Sequence, residues 1–186
     1  MKSQLAFRVA AFVAVASAFS LVTLAKTSNS EQISTYMHQA RTHATQAAAD
    51  LALLQTYSMA AIPWQVRFNR LQHVQDDLNA LIKDYNRLNA LRDSATPAQV
   101  QALDTIQPML QDLQSQVKDT LRYLDYHSNA VNMPPFGQRV HIEYTSANQI
   151  FAALCNCAKN NNLLVASAKD QTAPSDCSDQ SFVTKP

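Results

Sequence analysis

The sequence predicts an all-α protein: an antiparallel four-helix bundle, with an N-terminal signal peptide or anchor helix before it and a disordered polar tail after it. Three observations lead there. The chain of 186 residues holds a single glycine, Gly137, where roughly 13 would be usual at ~7%. Hairpins and bulges need glycine, and so do loops that bring backbone close to phosphate, so sheet-rich and nucleotide-binding folds are disfavoured. From Ser30 to about residue 160, apolar residues recur at alternating spacings of three and four, the signature of one buried helix face. Polar and proline-bearing breaks interrupt this pattern near residues 58–63, 92–99 and 132–138, which leaves four segments.

Lys2 and Arg8 open the chain, and Val9–Ala25 is then free of charge for 17 residues. A basic start, an apolar run and small residues before a polar boundary make a secretory signal peptide. Thr23 and Ala25 supply the small residues for a cut before Lys26, so export to the periplasm or the medium is expected. The alternative is a membrane anchor formed by residues 9–25, since 17 uncharged residues reach the lower edge of a bilayer span. The expected organisation is residues 1–25 as signal peptide, 26–165 as bundle and 166–186 as tail. The formal charge is +1, and cleavage removes Lys2 and Arg8 to leave −1. No Lys/Arg block interleaved with aromatics occurs, so nucleic acid is not an expected partner.

The first bundle helix is predicted over about 31–60. Ile33, Met37, Ala40, Ala44, Ala47, Leu51 and Leu54 form its stripe, continued through Ser58 to Ala61. Its alanines permit close approach of a neighbour. A turn at Ser58–Pro63 follows, with Pro63 at the first position of the next helix. Leu71, Val74, Leu78, Leu81, Tyr85 and Leu88 then hold a and d positions for nearly three heptads, as in a coiled coil. Arg67, Arg70, Asp76, Asp77, Lys83, Asp84 and Arg87 fall mostly off that stripe and read as a solvated face. Arg92–Gln99 ends this helix. Thr96 as N-cap and Pro97 in the first turn start a third, predicted over 97–130. Its stripe is Leu103, Ile106, Leu110, Leu113, Val117, Leu121 and Leu124, with Pro108 inside it as an expected kink. Asn132–Gln138 reads as a loop. Val140, Ile142 and Tyr144 alternate like a strand, but a lone strand has no partner here, so a fourth helix is expected from near Arg139. It continues through Ala147, Ile150, Leu154 and Cys157 and ends at the asparagines 160–162.

Cys155 and Cys157 are two apart, so on a helix they point about 200° from each other. Cys157 follows the core stripe and Cys155 then faces outward. Structural zinc needs about four ligands at wider spacing. In an oxidising compartment the expected disulfide is Cys155–Cys177, pinning the tail to the bundle, with Cys157 as a buried or spare thiol. Inert thiols, or a metal or redox role, are the alternatives. His38 and His43 are five apart and share no face. His127 and His141 flank the Pro134–Pro135 segment, and with Met133 or Cys155 they are the candidate soft-ligand copper site. Trp64 and Phe68, one turn apart, are the candidate partner contact; the simpler role is to cap the core.

Over about residues 31–160 the architecture is similar to exported helical bundles such as b-type cytochromes and chemoreceptor sensor domains. A c-type haem needs C-x-x-C-H, which is absent, while a Met/His haem pair is compatible. No G-x-S-x-G, H-E-x-x-H or paired E-x-x-H motif occurs. Neighbouring Asp76 and Asp77 diverge by about 100° on a helix. The sequence therefore predicts an exported, non-enzymatic bundle without a cofactor that binds a partner or ligand or self-associates through its helix faces. A small periplasmic bundle carrying copper or haem is the alternative. A membrane enters only if the N-terminal segment stays attached.

Overall fold

A computed structural model describes the backbone of residues 4–58, 62–128, 134–160 and 177, and the side chains of 29–57, 62–128, 135–159 and 177. Four helices follow one another: α1 (Gln4–Ser58), α2 (Trp64–Ala90), α3 (Pro97–Tyr126) and α4 (Pro134–Asn160). A 3-10 turn, Arg92–Ser94, sits between α2 and α3. Each helix packs against the next, and α4 returns to α1, so the four form an up-down-up-down bundle closed on itself.

The stripes read from the sequence are the core. Ile33, Met37, Ala40, Ala44, Ala47, Leu51 and Leu54 of α1 are all buried, as are the six predicted positions of α2. The small alanines in the middle of α1 allow close approach of its packing neighbours, α2 and α4. Each buried leucine contributes ~1.5–3 kcal/mol relative to exposure.

The ends of the helices follow from local chemistry. Pro63 is the N-cap of α2 and not its first residue, so the helix starts at Trp64, one position later than the sequence suggested. Thr96 caps α3 with a reciprocal pair: its Oγ1 accepts from the Gln99 backbone N–H, and Gln99 Oε1 accepts from the Thr96 N–H. Pro108 leaves α3 an unbroken helix from Pro97 to Tyr126. It lies on the exposed face, where water can satisfy the Asp104 carbonyl that its ring leaves without a donor. α3 ends at Tyr126, short of residue 130, with His127 as its cap.

The largest departure is at α4. It begins at Pro134 and not near Arg139, so Pro134–Gln138 belongs to the helix. A first helical turn needs no backbone N–H donors, and two prolines fit it. Phe136, one of the residues assigned to the loop, is fully buried, and the Arg67 guanidinium lies 5.6 Å from its ring centroid. Val140 is buried and Ile142 exposed, as a helix requires.

Arg67 also corrects the solvated face expected for α2. It is 1% exposed and donates from Nη2 to the Tyr57 carbonyl, one of the last-turn oxygens of α1 that lack a helical donor. Asp84 is likewise buried. A polar seam runs beside the core in antiparallel register, with heptad-spaced Asp50, His43 and Tyr36 of α1 meeting Arg70, then Asp77 and Asp84, then Arg87 of α2. Arg70 Nη1 bonds Asp50 at 2.9 Å, His43 sits 3.5 Å from Asp77 and 3.8 Å from Asp84, and Arg87 pairs with Asp84 while covering the Tyr36 ring. Burial raises the Asp77 pKa, and the His43 contact opposes that shift.

Candidate functional site

On α4, counting back by threes and fours from Cys157 gives Leu154, Ile150, Ala147, Glu143, Val140 and Phe136. All are buried, and one is an acid. The facing stripe of α3 carries its own polar substitution, Thr120, which is 0% exposed. Leu121, assigned to that stripe from sequence, is instead half-buried at its edge.

These two polar residues meet. Thr120 Oγ1 donates to Glu143 Oε1 at 2.5 Å, the short distance of a bond to a carboxyl oxygen. The second oxygen, Oε2, is buried and has no hydrogen-bond partner among the described residues, and neither has the buried Oε1 of Gln116 one turn earlier on α3. Both residues line a cleft of about 400 Å³ between α3 and α4, together with Asp119, Thr120, Pro135, Gln138, Arg139 and Ile142. Burial raises the Glu143 pKa to about 7, against the smaller opposing effects of the Thr120 bond and the Arg139 charge. The acid thus changes protonation near neutrality. Arg139 is held at the rim, its guanidinium 5.1 Å from the centroid of the Tyr123 ring. Asp119 is tied to Arg122 at 3.2 Å. Ile142, 53% exposed, gives the rim an apolar edge.

The residues singled out from sequence lie elsewhere. His127 caps α3, with Nδ1 2.8 Å from the Tyr123 carbonyl and its ring against the Tyr123 ring. His141 turns to α1, with Nδ1 2.8 Å from Gln55 Nε2. Met133 lies outside the described residues. Among the described residues, no group of three or more His, Cys, Asp and Glu is placed to hold one metal ion. Trp64 and Phe68 are half-buried and meet edge to face at 5.8 Å, and Phe68 packs on the core.

The disulfide joins Cys155 and Cys177, whose Cα atoms are 5.7 Å apart. Cys155 does point away from the main core, but it is 1% exposed and not outward-facing in the solvent sense, because the equally buried Cys177 covers it. Cys157 is buried on the core side and takes no part in the disulfide. Buried Arg41 of α1 reaches the same region, donating from Nη1 toward Cys177 Sγ at 3.6 Å, with Nη2 3.4 Å from His38 Nδ1. Burial lowers the Arg41 pKa, with the nearby Cys157 acting against that. The rest of the 166–186 tail lies outside the described residues. Among the described residues, no helix is long and apolar enough to cross a membrane.

Glu143, Thr120 and Gln116 were missed by sequence reasoning, yet a signal was present. Glu143 and Thr120 occupy stripe positions, and only the habit of tracing apolar residues hides them. Comparison of the chain with family models, with curated proteins and with solved structures finds no match.

Proposed function

We propose that the chain is an exported, non-enzymatic binding protein whose ligand site is the α3–α4 cleft. The observation that carries this reading is the buried, unpartnered Glu143 Oε2 at a core position, in a residue that lines a cleft together with Gln116, whose Oε1 is also buried and unpartnered. A buried acceptor without a partner costs about 1–3 kcal/mol, so an acid that only joined two helices would be better replaced by leucine. A cleft of about 400 Å³ is within the range that holds a small molecule. Export is supported by the basic start and apolar run of residues 2–25, and a disulfide is at home in an oxidising compartment.

The test is a thermal-shift series on the full chain and on Glu143→Gln, with cationic, neutral and anionic small molecules. A stabilising compound whose effect is lost in the variant supports the reading. Equal responses of the two proteins, or none with any compound, contradict it. A colourless, metal-free preparation separates this function from a copper- or haem-carrying bundle, and light scattering on a sizing column tests self-association through the helix faces.

A further inference from the structure

The chemistry of the cleft narrows what it can hold, granted that it is the ligand site. Its two buried unpartnered atoms, Glu143 Oε2 and Gln116 Oε1, are both acceptors, so the complement is a donor. Glu143 and Asp119 line the same cleft, which disfavours an anion. Glu143 Oε1 is already taken by Thr120, so Oε2 alone is left for a donor. A guanidinium binds best to both oxygens of a carboxylate at once, whereas an ammonium is a point charge with three independent donors. A quaternary ammonium needs an aromatic face, and the nearby Tyr123 ring is stacked with Arg139. Hard divalent ions take six or more oxygen ligands, and two carboxylates on opposite sides of a cleft supply too few.

We propose that the α3–α4 cleft binds a small primary alkylammonium ion, whose N–H groups bond Glu143 Oε2 and Gln116 Oε1 and whose alkyl chain lies along Ile142 and Pro135. The ion replaces the proton of Glu143, so binding is coupled to proton release. The charge acting on Glu143 is Arg139 of α4, and Asp119 of α3 lines the same cleft; among the described residues no lining residue comes from α1 or α2. With Glu143 titrating at about 7 and the amine charged throughout, affinity is about tenfold lower at pH 6 than at pH 8.

The experiment is calorimetry and amide NMR of the full chain with butylammonium, 1-butanol, butyrate and butylguanidinium at pH 8 and pH 6. The expected result is saturable butylammonium binding, with a dissociation constant on the order of millimolar for so small a probe. The side-chain amide signals of Gln116 and Gln138 shift, the affinity is about tenfold lower at pH 6, and proton release varies with buffer ionisation heat. Glu143→Gln loses at least about tenfold in affinity and the pH dependence, the size expected for a lost charged hydrogen bond. Gln116→Ala, at a half-buried position, weakens binding without removing its pH dependence. Shifts with 1-butanol, butyrate or butylguanidinium while butylammonium stays silent overturn the ammonium assignment and leave the cleft a ligand site. Silence of all four probes at the cleft amides overturns both.

Discussion

Replacing Glu143 with glutamine keeps the shape of the side chain and removes its ionisation. Its pKa is about 7 in the folded protein and 4.5 ordinarily. The folded state therefore holds the proton more tightly than the unfolded chain does. Below the ordinary value both states are protonated and Glu143 carries no penalty. As pH rises toward 7 the unfolded chain gives up its proton first, and stability falls. The difference of about 2.5 pH units corresponds to about 3 kcal/mol lost between pH 4.5 and pH 7, at 1.36 kcal/mol per unit. Asp77, also raised by burial, depends on pH in the same direction but is present in both proteins and cancels in the comparison. Urea denaturation of wild type and Glu143→Gln from pH 4 to pH 8 reads the effect directly. The stability of the variant relative to wild type climbs by about 3 kcal/mol across that window and then levels off. Parallel pH profiles for the two proteins would refute the buried-acid argument.

Other parts of the structure make separate predictions. Leu78→Ala or Leu113→Ala, at fully buried positions, costs about 2–5 kcal/mol in urea denaturation, and an unchanged midpoint in both speaks against the core assignment. Thr96→Ala removes the cap of α3 and lowers stability by about 1 kcal/mol. Thiol titration of the denatured, unreduced protein yields one reactive group, Cys157. Cys177→Ser, which opens a loop of 22 residues, costs about 3 kcal/mol on the chain-entropy argument; three reactive thiols refute the clip. Mass spectrometry of exported protein finds Lys26 as the first residue, and an intact Met1 in the folded product sinks cleavage.

How far the sequence was legible depended on which signal each element used. The stripes of α1 and α2 could be read residue by residue because burial there is carried by apolar side chains at an unbroken heptad spacing. α4 was harder. Two prolines and the sole glycine look like a loop, and nothing local says that they stand in a first turn anchored by a buried Phe136. The site was least legible, because its members are exceptions to the pattern that reveals the fold. Thr120, Glu143 and Arg67 each occupy the phase of a core position with a polar side chain, and such a residue is easily skipped in favour of an apolar neighbour such as Leu121. Tracing the phase first and asking afterwards which residues violate it would have found all three. The partner of Cys155 was accessible for another reason: an expected oxidising compartment, three cysteines and helical divergence of the first two leave few pairings.

The most direct test of the account follows the Glu143 carboxyl carbon by NMR as pH is varied, with and without butylammonium. The expected midpoint is near 7 in the free protein, moving down by about one pH unit or more when the cleft is saturated. A free-protein midpoint at the ordinary value of 4.5, unmoved by the amine, would contradict it.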